Sequence, residues 1–220
     1  MGRNLEKDLI EMASKNQRIL ESGFRLFSTR TIEKVTMNDV AKEAGLAVSS
    51  LYRYYSTKPK LVTAVGTWAW GEFMKANTAV EPGTAIPGGT AADLLDLYLS
   101  SFLVMYRDYK DLLRFNQFFN VYLMSEAVSA EDRRPYMDLI RSLEARFGVI
   151  YRRGLQDGTL RTEVPENEMF SVTIHLMLAA VTRYAVGLVY IGETAPEEEL
   201  RMMKDMLLSR YSVRAEQDPA

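Results

Sequence analysis

The chain has 220 residues, 47% of them hydrophobic and 25% charged, and a formal net charge of −2. That length is long for one domain and short for three, and it carries enough apolar side chains for a sizeable core. With no cysteine and a single histidine, a disulfide framework, a thiolate metal site and a thiol nucleophile are all excluded.

The first helix is predicted from about Ser14 to Thr29. Ser14 with Gln17 reads as a capping box, and Leu20, Phe24 and Phe27 form an apolar stripe. The residues before Ser14 can extend it. Thr36 with Asp39 reads as a second capping box, followed by Met37, Val40, Ala41 and Ala44 at i, i+3, i+4 and i+7. Gly45 ends that helix, because glycine turns left-handed at little cost. Residues 49–55 suit another short helix, with Leu46, Leu51 and Tyr55 inward and Ser49, Ser50, Tyr52 and Tyr54 outward. Ser56–Thr57 can cap a fourth helix reaching about Ala79, with Pro59 tolerated in its first turn. Residues 79–90 form a Pro/Gly-rich linker.

Beyond the linker the pattern stays helical. Thr90 with Asp93 opens a helix to about Tyr106, and a second spans residues 108–125. Ser129 with Asp132 opens a third, ending near Gln156 before a turn at Asp157–Gly158. Pro165 starts a long apolar helix to about Ile191, and Thr194 with Glu197 caps a last helix to about Tyr211. No run alternates well enough to argue for a sheet. The fold class is therefore all-α with about nine helices. Residues 1–62 are expected as a helix-turn-helix domain and residues 63–220 as a larger helical domain.

Charge follows the same division. Residues 1–62 hold 11 Lys/Arg against 7 Asp/Glu, and residues 63–220 hold 16 against 22. A basic head on an acidic body suits one segment on phosphates and another with a different task. The N-terminus has no apolar h-region for a signal peptide and no Ser or Thr at position six for myristoylation. Residues 169–191 contain His175 and Arg183, so a buried helix is a better reading than a membrane span. A cytoplasmic location is expected.

Residues 36–61 carry the functional signal. A helix-turn-helix needs small or polar side chains at the start of its second helix to reach base edges. It also needs helix starts, cations and hydroxyls aimed at phosphates. Ser49 and Ser50 are short enough for close approach, and Tyr52 and Tyr54 offer hydroxyls. Thr36 sits at one helix start and Lys58 at another.

The matching residues are Ile19, Leu20, Phe27, Thr36, Val40, Ala41, Ala44, Gly45, Leu46, Leu51, Tyr52, Tyr54, Tyr55, Lys58 and Leu61. In that order and spacing they resemble the N-terminal pattern of the TetR family of bacterial transcriptional regulators, over about residues 17–63. Four positions depart from the pattern, among them Ser49, which stands where many members carry glycine. Thr31 stands where the family often has glycine. Ala47 replaces the usual serine before the recognition helix, so Ser49 is a substitute cap that would shift the helix start. Val48 replaces a common cation, and a valine there can touch a thymine methyl.

The resemblance implies a homodimer through residues 165–191 and 195–211, bound to a near-palindromic double-stranded DNA operator. The apolar circumference of residues 169–191 supports this, since a helix hydrophobic all round must be covered on both sides. It also implies a ligand pocket in the second domain. Phe102, Tyr106, Phe119, Tyr122, Phe147, Tyr151, His175 and Met177 are the candidate lining for an apolar or aromatic effector. His175 is open to three readings: ligand anchor, dimer seam or satisfied core histidine. No catalytic residue, metal site or cofactor is expected, because no nucleophile–base pair or ligand cluster is visible. The expected function is a ligand-responsive transcriptional repressor. A regulator without a small-molecule effector is the alternative.

Overall fold

The computed structural model describes residues 2–77, 88–125, 127–189 and 194–213, with side chains from Glu6 onward. The helices are α1 (Gly2–Thr29), α2 (Met37–Glu43), α3 (Val48–Tyr54), α4 (Lys58–Ala76), α5 (Ala91–Asp108), α6 (Lys110–Leu123), α7 (Ala130–Asp157), α8 (Glu166–Thr173), α9 (Ala179–Ala185) and α10 (Pro196–Tyr211). A π-helical turn, Ile174–Leu178, joins α8 to α9 without a break. Counted so, the described residues form nine long or short α-helical rods, as expected. Their one β-pairing is an isolated antiparallel bridge between Leu160 and Ser212. No helix among the described residues is long and apolar enough to cross a membrane.

The packing forms two compact units that do not follow a single cut after residue 62. The first comprises residues 1–72 and 114–139, and the second residues 73–113 and 140–220. In the first unit Ile19, Phe27, Ile32, Val35, Val40, Leu51 and Leu61 are fully buried. An aromatic cluster continues this core. Phe24 meets Trp68 edge-on at 6.0 Å and tilts against Phe115 at 5.6 Å. Phe119 stacks on Phe115 at 5.0 Å and meets Tyr136 edge-on at 4.7 Å. A Cβ on Gly66 would lie 2.5 Å from the Phe119 ring, so glycine is what lets α4 and α6 approach here.

The second unit is tied together by polar contacts at helix ends. Thr90 and Asp93 form the expected capping box of α5. Asp157 Oδ2 accepts from Ala91 N at 2.8 Å and Thr159 Oγ1 from Ala92 N at 3.1 Å, so the α7–α8 turn also caps α5. Burial pushes the Asp157 carboxyl up, but hydrogen bonds from Thr159 and Ala91 outweigh it and hold it below its usual range. Lys204 of α10 donates to Asp96 of α5 at 2.7 Å. The core between these elements holds Leu95, Leu99, Phe102, Phe147, Met169, Met177, Val181 and Leu200.

Four expected helix boundaries are corrected. α1 runs straight through Ser14, which is exposed and caps nothing. Continuous backbone hydrogen bonding through the turn before Ser14 removes the orphan donors a cap would serve. α10 starts at Pro196 with Ala195 as its cap and no side-chain cap bond, so the Thr194–Glu197 box does not form. Proline fixes φ for the first helical position and shifts the start by one residue. The long helix ends at Ala185 rather than near Ile191, because Gly187 adopts φ +77°. Gly187 N donates to Tyr184 O and Leu188 N to Arg183 O, closing a Schellman turn. The fourth helix ends at Ala76 rather than Ala79. Most of the expected linker, residues 79–87 of 79–90, lies outside the described residues.

Candidate nucleic-acid interface and effector site

The interface is built from α2, its following turn and α3. Thr36 caps α2 as expected: its hydroxyl accepts from Asp39 N at 3.1 Å, and its own N–H donates to Asp39 Oδ2 at 2.8 Å. Hydrogen bonds from the Thr36 hydroxyl and amide hold the Asp39 carboxyl below its usual range. At the other end Gly45 takes φ +65°. Leu46 N then donates to Ala41 O at 2.9 Å and Gly45 N to Lys42 O at 3.1 Å. This Schellman turn fixes the angle at which the chain enters α3.

α3 begins one residue earlier than expected. Ala47 is its cap, with no side-chain hydrogen bond, and the ladder opens with Ser50 N donating to Ala47 O at 2.9 Å. Ser49 is therefore in the first turn and does not replace the missing serine cap. The N–H groups of Val48 and Ser49 precede the ladder and point out of the helix start, where anions are favoured. Val48 and Ser50 are half-buried, while Ser49 and Tyr52 are exposed. Arg53, which the sequence reading does not single out, shares their face at i+4 from Ser49 and is also exposed. Its signal was available in that spacing.

The phosphate candidates divide. Tyr52 is 48% exposed and its hydroxyl is unengaged among the described residues. Tyr54 donates its proton to Met12 O at 3.3 Å, and Tyr55 donates to Asn16 Oδ1 at 2.8 Å, so both hydroxyls reach back to α1. A phenol has one proton to give. Lys58 opens α4, and its ammonium donates to Glu33 O at 3.1 Å. Burial lowers its pKa from the ordinary lysine value, opposed by the charges of Glu33 and Asp39. At Thr31 the departure from glycine is accommodated without a left-handed residue. The backbone is extended there (φ −67°, ψ 141°), and Ile32–Lys34 forms a 3₁₀ turn instead.

The eight candidate effector residues fall into both units. Phe119 and Tyr122 belong to the first, the other six to the second. Within the second, Phe102, Tyr106, Phe147, Tyr151 and Met177 are buried. Tyr98 meets Phe102 and Phe147 edge-on at 5.7 and 5.4 Å, which joins α5 to α7. The Tyr151 hydroxyl lies 2.9 Å from both Thr162 O and Val164 O and is spent on holding the α7–α8 turn. His175 is exposed, two residues from buried Met177 and so on the opposite face. The reading of His175 as a core histidine does not hold.

Two further groups stand out. Thr173 and Thr182 flank the π turn, are 0% and 6% exposed, and have hydroxyls with no hydrogen-bond partner. Buried hydroxyls of this kind are rare in a finished core. Neither was legible in the sequence, because a threonine on a helix normally bonds the carbonyl one turn back. Near them Tyr184 donates a short hydrogen bond to Glu199. Burial, then the Glu199 carboxylate, push the Tyr184 phenol up to about 12.

Comparison with known proteins yields one family. The profile described as bacterial regulatory proteins, tetR family, matches residues 19–65. An HTH-type transcriptional regulator of Staphylococcus aureus is 39% identical over 57 residues, which are 26% of this chain and 29% of that protein. The chain thus matches less than a third of that relative's length. The HTH-type transcriptional repressor KstR2 of Mycolicibacterium smegmatis is 25% identical over 167 residues, 69% of this chain and 70% of that protein. Among solved structures, the transcriptional regulator FadR of Bacillus subtilis in complex with stearoyl-CoA superposes with a TM-score of 0.70 at 16% identity, covering 88% of this chain and 97% of that one. At that identity the likeness is one of fold.

Proposed function

The chain belongs to the tetR family of bacterial regulatory proteins, with its helix-turn-helix at residues 19–65, and we propose that it acts as a homodimeric repressor released from its operator by an apolar small molecule. The observation that carries DNA reading is the α2–α3 geometry. α2 is capped at both ends, and α3 presents Ser49, Tyr52 and Arg53 on one exposed face beside an open helix start. Val48 and Ser50 border that face, and Lys58 sits at the adjoining helix start as a phosphate contact, while Thr36 gives both its N–H and its hydroxyl proton to Asp39 and serves as the cap of α2.

Dimerisation rests on uncovered apolar side chains of the last helices. Val172 and Leu176 are 43% and 37% exposed, and Met202 and Met206 are 58% and 67% exposed. Together with exposed His175 they form faces that a second copy would cover. Two heads joined in this way read two half-sites one or more helical turns apart.

The effector reading rests on the second unit. Phe102, Tyr106, Phe147 and Met177 supply apolar surface, and the unpartnered hydroxyls of Thr173 and Thr182 supply polar anchors in the same core. A ligand there bears on α8 to α10, the elements of the proposed dimer. If it lowers operator affinity, operator must lower ligand affinity by the same factor. FadR, a structural relative, holds stearoyl-CoA, and KstR2 is a repressor; both fit this reading.

The test is selection of bound DNA from a random pool, followed by titration at several salt concentrations. A near-palindromic site bound by two protomers is expected. Lys58→Ala should weaken binding to all sequences alike and reduce the salt slope by about 1, with sequence preference kept. Selection of an asymmetric site, or a change in preference at constant slope, would reject the respective assignments. Thermal-shift screening with acyl and aromatic compounds tests the effector, with Thr173→Val and Thr182→Val as controls. Absence of any hit that also releases DNA favours a regulator without an effector.

A further inference from the structure

We propose that Asn16 of α1 and Tyr55 at the C-cap of α3 are a positioning pair that sets the sequence preference of the recognition helix, by fixing how α3 is rolled about its own axis. The pair rests on the DNA reading above and lies wholly within the first unit.

α3 has seven residues, about two turns. A helix so short is held by tertiary contact and not by its own ladder. Leu51 is fully buried, while the other α3 residues are half-buried or exposed. One buried side chain fixes where a helix sits and leaves it free to roll about that point. The start of α3 adds little, since Ala47 offers no side-chain cap. The second point of attachment is at the C-terminal end. Tyr55 donates its phenol proton to Asn16 Oδ1 at 2.8 Å, a part-buried bond between residues 39 positions apart. Tyr54 donates to Met12 O at 3.3 Å, one turn earlier on α1. Residues four apart share a helix face, so two neighbouring phenols land on one face of α1.

Asn16 has no local reason to stand where it does. Asparagine is a poor helix-interior residue, because its amide competes for backbone groups. Asn16 lies well inside α1, half-buried and one turn before the buried Ile19 and Leu20. An apolar side chain there would extend the core stripe but offer Tyr55 no acceptor. Burial pushes the Tyr55 phenol up, opposed by the Asn16 bond, so the donor keeps its proton.

Ser49, Tyr52 and Arg53 share the exposed face that this bond aims. Base edges are read by hydrogen bonds that weaken steeply with misalignment. Contacts from charges and helix starts to phosphates carry no sequence information and dominate general affinity. A reading site therefore needs supporting bonds that hold it to within about 10–20°. Loss of the pair should degrade preference and spare general DNA binding.

The experiment compares the full chain with Tyr55→Phe, Asn16→Leu, Asn16→Asp and the double variant Tyr55→Phe/Asn16→Leu. Tyr55→Phe removes the hydroxyl and keeps the ring. Asn16→Leu removes the acceptor at similar volume, and Asn16→Asp keeps an acceptor oxygen. DNA bound by the wild-type chain is selected from a random pool. Each variant is then titrated with that site and with random duplex at several salt concentrations. Tyr55→Phe and Asn16→Leu should each lower the ratio of specific to non-specific affinity at least about fivefold, with random-duplex affinity and salt slope unchanged. The double variant should lose no more than either single one. Asn16→Asp should keep the ratio within about twofold, whatever its added charge does to both affinities alike. Circular dichroism checks the fold, and Asn16→Ala replaces Asn16→Leu if the latter loses helix. An unchanged ratio in the single variants overturns the pair. So does an equal loss on both DNAs, which marks a structural bond only. Additive effects in the double variant, or Asn16→Asp falling as far as Asn16→Leu, overturn it as well. A wild-type chain that selects no sequence defeats the DNA reading and the pair with it, whereas variants that match a selective wild type defeat the pair alone.

Discussion

Threonine plays opposite parts in the α2–α3 segment and in the long helix of residues 166–185. Thr36 gives its hydroxyl to the start of α2 and receives a backbone proton in return. Thr173 and Thr182 bury theirs with no partner on either side of a π turn. The first arrangement stabilises a helix end from within four residues of sequence, Thr36 to Asp39. The second costs stability, since a buried hydroxyl loses water without replacement. Local hydrogen bonds thus secure the DNA-reading end, and the second unit keeps two hydroxyls unpaired beside the π turn. π turns recur at functional sites, and an unsatisfied buried group calls for an explanation of its own.

The largest test of this contrast asks whether local caps are enough for the head. Leu51 is fully buried in α3, which has seven residues and no side-chain cap. Leu51→Ala should cost about 2–5 kcal/mol in urea unfolding, because so short a helix is held by burial. A loss below about 1 kcal/mol would mean that α3 stands by local bonding after all.

Gly45→Ala isolates the turn. No atom lies within 4 Å of the added Cβ, so the whole effect is the left-handed backbone at φ +65°. A cost of about 1–2 kcal/mol is expected. An unchanged unfolding midpoint would show that the turn can relax.

Thr36→Ala should cost about 1 kcal/mol, measured in the same way. It should also alter acid sensitivity. The Asp39 pKa is lowered in the folded chain, first by the Thr36 hydroxyl and then by its amide. The linked stability is present above the unfolded carboxylate pKa and is lost as pH falls through the folded one. Without the hydroxyl this acid loss should shrink. An identical pH profile in the variant would dissociate Asp39 from the cap.

The smallest effects carry the opposite sign. Thr173→Val and Thr182→Val should leave stability unchanged or raise it by up to about 1 kcal/mol, as no hydrogen bond is broken. A loss comparable to that of Thr36→Ala would reveal a partner for these hydroxyls and remove the contrast. Fluorescence-detected melting of the single and double variants decides it.

Legibility in the sequence tracks the range of the forces involved. Thr36, Asp39 and Gly45 lie within ten positions, and their pattern named both ends of α2 correctly. The boxes at Ser14 and Thr194 had the same letters and do not form. A cap works only where orphan donors exist, and the neighbouring backbone decides that. Gly187 was visible too, yet the apolar pattern around it read on to Ile191. Of the site residues, those on α3 follow from helical spacing, including Arg53, which that spacing could have revealed. The effector set mixed Phe119 and Tyr122 with residues of the other unit, because aromatic stripes report burial and do not say against what.

The sequence by itself determined an all-helical chain and a helix-turn-helix over about residues 17–63. These depend on periodicity, caps and turns, which act over a few residues. The tertiary structure alone decided that α6 and the start of α7 pack with the DNA-reading helices, and that His175 faces outward. It also decided which threonine hydroxyls go unpaired and that Asn16 of α1 meets Tyr55 at the C-cap of α3. Each of these is a meeting of side chains far apart in the chain, set by how whole helix faces fit together and by no local signal.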